Sequence, residues 1–338
     1  MTAPAPTHAP VDTSAHRHPA YATGLRTLQV VEIVSLTPEV THFRLAAADG
    51  RELASYQPGS HLVITAGDKR NAYSLVDDGV LPRTYGISVL RRGDGGGSDW
   101  LHDTIAVGDI VDVEGPRSMF APVLDQRHAL LVAGGIGVTP VLSHARAIAA
   151  RAGSASIVYS YRAGHAAHLQ DLRDLAAAHP HLTLIEATTV ADTLGALRAA
   201  FADQPLGTYA YACGPVPMLD SYLSLGADAG WPTARLHLER FTAPEQDPGS
   251  PFRVGLASSG RVIDVPSGVS VLQALTDAGV AVPSLCRQGV CGECRIPVRS
   301  GVVEHRDLVL SREEKEAGEA MLSCVSRAAE GTTIEVDL

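Results

Sequence analysis

The sequence predicts three domains: an antiparallel β-barrel, a doubly wound α/β domain with a parallel sheet, and a smaller α+β domain. Three observations predict this order. From about Leu25 to Pro122, apolar and polar residues alternate with period two in short runs punctuated by Gly and Pro, as strands with one buried face require. From about Val123 to Phe241, continuous apolar runs alternate with helical patterns, the rhythm of strands covered on both faces by crossover helices. After a linker at Thr242–Ser250, rich in turn residues, the remainder from Pro251 to Leu338 holds four of the five cysteines.

The elements follow in order. Barrel strands are predicted at Thr27–Ile33, His61–Thr65, Tyr85–Leu90 and Ile110–Glu114; many short strands at this spacing suit a barrel. The α/β domain opens with the buried strand Ala129–Ala133. A helix follows, with Thr139 as cap, Pro140 in its first position and Gly153 beyond its end. Next come the strand Ile157–Tyr159, a helix near His168–Ala178, the strand Leu182–Ile185, a helix near Leu194–Phe201 and the strand Tyr209–Ala212. The last domain begins with a hairpin, Phe252–Ala257 and Arg261–Val265. Ser270 caps a helix over Val271–Ala278, and Ser311 with Glu314 forms a capping box.

Composition narrows the function. The chain has 338 residues; 27 Lys and Arg against 37 Asp and Glu give a net charge of −10, which excludes the basic face that nucleic acids select. With 45% hydrophobic and 19% charged residues it can build packed cores. There is no apolar run of about 18 residues, the length a membrane span needs. The first 24 residues lack the basic start and apolar stretch of a secretory signal, and their Ala, Pro, Thr and His content predicts a disordered leader. Clustered cysteines, odd in number, read as a metal site in the reducing cytoplasm rather than a disulfide framework.

Cys286, Cys291 and Cys294 form C-x4-C-x2-C, and Cys324 lies 29 residues further on. That is plant-type spacing for a [2Fe–2S] cluster held by four thiolates, with Gly289 and Gly292 letting the backbone approach the sulfurs. Zinc ribbons prefer two C-x2-C knuckles, and only one is present. After the first buried strand comes Gly134-Gly135-Ile136-Gly137-Val138-Thr139-Pro140, a glycine turn leading into a helix, where a pyrophosphate can rest on free N–H groups. Cys213-Gly214-Pro215 follows another strand of the same sheet, so both loops sit where open α/β sheets bind ligands. Read from the sequence alone, Cys213 is equally a small buried residue. Gly95-Gly96-Gly97-Ser98 opens a helix in the barrel region and is a second candidate phosphate nest.

These motifs, with Pro58-Gly59, Tyr73-Ser74-Leu75 and Leu322–Ala328, occur in an order that resembles the ferredoxin–NADP reductase superfamily. Within it the chain is similar to the phthalate dioxygenase reductase family, over about Leu25 to Leu338. The resemblance implies an FMN-binding barrel, an NAD-binding domain and a β-grasp ferredoxin domain. It implies that Tyr73 and Ser74 hold the flavin, Ser74 near its reactive N5, and that Gly96, Gly97 and Ser98 hold the FMN phosphate. Ser88, Val89 and Leu90 would line the isoalloxazine edge, Phe241 would lie near the flavin, and Cys213 would lie near the nicotinamide. Gly134, Gly135, Gly137, Thr139, Pro140, Gly214 and Pro215 would bind the nucleotide.

One position departs from the pattern. The family's Arg-x-Tyr-Ser arginine would stand where Asn71 is, and the arginine is one place earlier, at Arg70. A one-residue shift turns a strand side chain to the opposite face, which leaves Arg91, Arg92 or the glycine loop to meet the phosphate.

The implied activity is an oxidoreductase passing electrons from NADH to FMN to [2Fe–2S], and then to the Rieske centre of a ring-hydroxylating or demethylating oxygenase. The family leans monomeric. The alternatives are an FAD-containing reductase of the phenylacetate-pathway type and a passive ferredoxin-like carrier. Nucleotide selectivity falls at Tyr161-Arg162-Ala163, where no acid stands in the sequence to exclude a 2′-phosphate.

Overall fold

A computed structural model describes residues 26–67, 69–118, 120–241, 246–329 and 332–338. The leader predicted over residues 1–24 and the first part of the linker, 242–245, lie outside the described residues.

The first domain contains β1 (Arg26–Thr37), β2 (Val40–Ala46), β3 (Ser60–Ala66), β4 (Lys69–Ser74), β5 (Thr84–Leu90), helix α1 (Gly97–Thr104) and β6 (Ile110–Ser118). The strands pair in the order β4-β3-β6-β1-β2-β5, and a bridge between Leu75 and Ile87 joins the two edges into a barrel. Leu28, Val30, Phe43, Leu45, Leu62, Ile64, Ile87 and Val89 fill its interior. The alternation visible in the sequence is therefore inward and outward alternation around the barrel.

The second domain runs β7 (His128–Gly134), α2 (Val138–Ala150), β8 (Ala155–Ser160), α3 (Leu169–Ala178), β9 (Leu182–Ala187), α4 (Val190–Ala202), β10 (Thr208–Cys213), α5 (Val216–Asp228) and β11 (Leu236–Glu239). All five strands are parallel, in the order β11-β10-β7-β8-β9. The chain reverses direction across the sheet after β9, and the two glycine loops end the adjoining strands β7 and β10 at that switch point. Two apolar cores, one on each face, bury Leu131, Ile157 and Tyr211 on one side and Leu130, Val158 and Leu219 on the other.

Helix α2 starts differently from the sequence expectation. Gly137 is its N-cap, after a short 3-10 turn at Gly135–Gly137, so Thr139 and Pro140 are its second and third residues. The Thr139 hydroxyl donates to the Ile136 carbonyl (3.0 Å) and caps nothing. The glycine turn starts the helix early, and Thr139 is already inside it.

The third domain contains β12 (Phe252–Leu256), β13 (Val262–Val265), α6 (Val271–Asp277), β14 (Arg295–Ser300), β15 (Val303–Glu304), α7 (Arg312–Ala317), β16 (Ala320–Leu322), β17 (Arg327–Ala328) and β18 (Thr333–Val336). Its mixed sheet has the order β13-β12-β18-β14-β16, with α6 packed on the core of Val254, Leu275, Ile296 and Val336. Ser270 caps α6 by accepting from Gln273 N (3.1 Å), and Ser311 with Glu314 forms the reciprocal capping box on α7.

The barrel and the nucleotide domain are joined by a buried seam. Val40, Val76 and Phe120 belong to the same apolar cluster as Val141, Leu142 and Tyr211. Polar groups cross the seam beside them. Ser88 Oγ lies 2.7 Å from His168 Nε2 and 2.9 Å from His42 Nδ1, and His168 Nδ1 lies 2.7 Å from Asp171. Arg146 bridges Asp171 (2.7 Å) and Asp77 (3.0 Å). Burial and the neighbouring His168 lower the His42 pKa to about 4, so that ring is neutral within the seam.

Candidate functional site

The pairing register of β3 with β4 sorts the flavin-motif residues. Arg70, Ala72 and Ser74 lie on one face of β4, and Asn71 and Tyr73 on the other. Tyr73 packs against the barrel core and its hydroxyl is buried without a partner; burial pushes its pKa up. Asn71 Oδ1 is likewise buried and unpartnered, and it abuts Gly97 so closely that a Cβ there would collide with it. Asn71 thus does come to the glycine loop, as the motif position requires.

That loop is built for a ligand at its mouth. Asp99 ties it together, accepting from Gly93 N (2.9 Å) and Gly95 N (2.7 Å), and these bonds hold its carboxyl below the usual range. Ser98 accepts from Arg92 N (3.3 Å). Gly96, the N-cap of α1, supplies no side-chain cap, which leaves backbone N–H groups of the first turn for an anion. Arg91 is paired with Asp103 (2.7 Å), whereas Arg92 forms no ion pair among the described residues. The orphaned polar atoms and the glycine-bounded space fit a flavin phosphate and ribityl chain. Ser88, in contrast, is turned into the seam, and Val89 faces the barrel core; of this segment, Leu90 packs toward the nucleotide domain.

In the nucleotide domain the two loops close on one another. A Cβ on Gly137 would strike the Cys213 carbonyl and Gly214 N, and one on Gly134 would strike Pro215 and Met218. Gly135 has φ +53° with open space around it, so the backbone is exposed at the mouth where a pyrophosphate fits. The Cys213 thiol itself is wholly buried, and burial beside Glu239 keeps it protonated. Phe241 packs on the core that spans the seam.

Three acids here were not visible in the sequence. Glu239, in register with Cys213, has Oε2 buried without a partner, and desolvation raises its pKa to about 8. The only signal for it was its place at a strand end, two residues before Phe241. Glu39, from the turn between β1 and β2, pairs with Arg162 (3.3 Å) and His165 (3.1 Å). The acid missing from the sequence after β8 is therefore supplied across the seam by the barrel. Glu186 adds a second carboxylate nearby, accepting from the Tyr161 hydroxyl (2.5 Å).

The four cluster cysteines fall into two adjoining pairs, Cys286 beside Cys291 and Cys294 beside Cys324. Two pairs side by side suit two irons, each taking two thiolates. Cys286 Sγ accepts from Gln288 N (3.3 Å), and Gly289 (φ +71°) and Gly292 (φ +80°) supply the left-handed backbone the loop needs. The cysteine set and the folded loop fit a [2Fe–2S] cluster.

A flavin barrel, a dinucleotide sheet and an iron–sulfur loop on one chain define a reductase that splits electrons from a pyridine nucleotide. Residues 254–329 match the 2Fe-2S iron-sulfur cluster binding domain, and residues 116–236 match the N-terminal domain of dimethylamine monooxygenase subunit DmmA-like proteins. The chain is 40% identical over 289 residues to the phenoxybenzoate dioxygenase subunit beta of Ectopseudomonas oleovorans, covering 84% of this chain and 88% of that one. It is 37% identical over 314 residues to the heme-dependent oxidative N-demethylase beta subunit of Ectopseudomonas mendocina (strain ymp), covering 92% and 98%. The solved structure of phthalate dioxygenase reductase, described as a modular structure for electron transfer from pyridine nucleotides to [2Fe-2S], superposes with a TM-score of 0.72 at 30% identity, covering 93% of this chain and 98% of that one. The chain belongs to the phthalate dioxygenase reductase family. It is an oxidoreductase, the electron-transfer component of an oxygenase system, with a [2Fe–2S] cluster binding domain. No described helix is long and apolar enough to cross a membrane.

Proposed function

We propose that the protein is a monomeric cytoplasmic reductase that takes electrons from NADH and delivers them singly to the Rieske centre of a ring-hydroxylating or demethylating oxygenase. FMN, when bound, would supply the conversion of a two-electron hydride into single electrons. The chain's residues set the stage for this. Tyr73 and Ser74 would hold the ring system, and Asn71 with Gly96, Gly97 and Ser98 would hold the phosphate arm. Gly134, Gly135, Gly137, Thr139, Pro140, Gly214 and Pro215 form the nucleotide cradle, and Cys286, Cys291, Cys294 and Cys324 hold the irons.

The observation that carries this reading is a cross-domain contact. Arg117 of the barrel, opposite His61 in register as Ser74 is, lies 2.7 Å from Glu293 of the cluster loop. The flavin-motif face and the cluster loop are thus neighbours. NADH is favoured over NADPH because Glu39 already occupies Arg162 and adds a negative charge where a 2′-phosphate would lie.

A second reading concerns only the acceptor. The relative from Ectopseudomonas mendocina is named for a heme-dependent demethylase, so a haem oxygenase is the competing partner. The experiment mixes the purified protein, NADH and each oxidised oxygenase without oxygen. NADH should bleach the flavin, and the Rieske absorbance should then bleach while a haem Soret band stays. Bleaching of the haem alone reverses the acceptor assignment, and a flavin spectrum indifferent to NADH ends the reductase reading. Mass photometry tests the monomer.

A further inference from the structure

Arg70 is not at the position the flavin phosphate would use, and the structure shows what it does there. It lies on the Ser74 face of β4, where NH2 donates to Glu114 Oε1 (2.5 Å) and NH1 to the carbonyl of Ser284 (3.5 Å). Ser284 is two residues before the first cluster cysteine. The second oxygen of Glu114 accepts from Arg117 (3.1 Å), and Arg117 reaches Glu293 (2.7 Å), which stands between Cys291 and Cys294. The charges alternate along this line: Arg70, Glu114, Arg117, Glu293. All four side chains are more than half-buried, at 37%, 19%, 32% and 33% exposed.

We propose that Arg70, Glu114, Arg117 and Glu293 are positioning residues: a charge clamp that seats the cluster loop on the Ser74 face of the barrel and so fixes the gap that electrons cross inside the molecule. The proposal rests on the FMN-to-cluster reading above. Its physics is simple. A domain held by a linker and a modest polar contact moves relative to its neighbour by default. Electron transfer slows steeply as the gap widens, so the seated fraction sets the rate. A partly exposed ion network is screened by salt, so the seating should loosen as ionic strength rises. The one-residue displacement of the arginine moves a cation from the phosphate side of the strand to this clamp.

The test uses the holoenzyme in anaerobic stopped flow with NADH, together with small-angle scattering. Arg117→Glu, which lies outside the flavin motif and meets the cluster loop only through Glu293, should reduce its flavin at the wild-type rate. It should pass electrons to the cluster at least tenfold more slowly, with an increased radius of gyration. The double exchange Arg117→Glu with Glu293→Arg should recover most of the rate and the compact form, and wild-type transfer should slow as salt rises. Wild-type transfer in Arg117→Glu, or slow transfer with unchanged compactness, overturns the clamp alone. Flavin reduction in the wild type with no cluster reduction at any salt overturns the parent reading as well.

Discussion

Glu239 carries a pH signature that its neighbours do not. Its folded pKa of about 8 lies above the ordinary value of 4.5, because desolvation favours the neutral acid. Between these values the native state holds a proton that the unfolded chain has released. The stability this group contributes is therefore full below pH 4.5 and is lost as pH rises toward 8. Glu239→Gln should flatten that slope. Urea unfolding at pH 5 and pH 8 should show the wild type losing a few kcal/mol more than the variant, on the scale of ~1.4 kcal/mol per pKa unit. At Glu39 the consequence is selectivity. Removing its charge with Glu39→Gln frees Arg162 for a 2′-phosphate, and kcat/KM for NADPH should rise several-fold while that for NADH changes little. An unchanged NADPH value would show that selectivity lies elsewhere.

Among the elements, β17 is short but anchors much of the third domain. Its Arg327 donates to the carbonyls of Val269 (2.7 Å), Ser250 (3.0 Å) and Pro266 (3.0 Å), and its guanidinium lies 4.9 Å from the centre of the Phe252 ring. Arg327→Met keeps the stem and strands three carbonyls. It should cost about 4 kcal/mol or more, since three hydrogen bonds to a charged group are lost at about 1.5–3 kcal/mol each. Chemical denaturation followed by cluster absorbance would measure it. The elements were legible in proportion to how local their causes are. The cysteine spacing, the Ser270 cap and the Ser311 capping box act within a few residues, and each could be read directly. Strand β2 was missed, and α4 was placed four residues late: its first turn, Val190-Ala191-Asp192-Thr193, lacks an apolar period, and its cap is Thr189, which accepts from Asp192 N (3.1 Å). The pairs Glu39–Arg162 and Arg117–Glu293 lie 123 and 176 residues apart, and nothing local announces them. Thr139 misled for the opposite reason: a residue suited to a cap sits beyond a glycine turn that had already begun the helix.

The molecule as a whole has two kinds of joint. The barrel and nucleotide domain share an apolar core and the buried Ser88–His168–Asp171 line, whereas the charge clamp carries the barrel's contact with the third domain. Cys291→Ser should exploit the difference. Replacing one thiolate by a poor ligand for iron should abolish the cluster. NADH-dependent ferricyanide reduction should persist through the flavin, and reduction of the oxygenase should vanish. Iron analysis beside the two assays checks it, and loss of both activities in a folded protein would refute the division. The seam also decides where the gene can be divided. A break at residue 122 would open an apolar face on each half and leave His42 and Ser88 facing solvent across from a stranded His168. A stop codon after residue 245 would uncover the three clamp side chains on the barrel, Arg70, Glu114 and Arg117. The first two domains are therefore inherited as one indivisible engine, and the third is a detachable coupling that natural exchange, or an engineer, can replace.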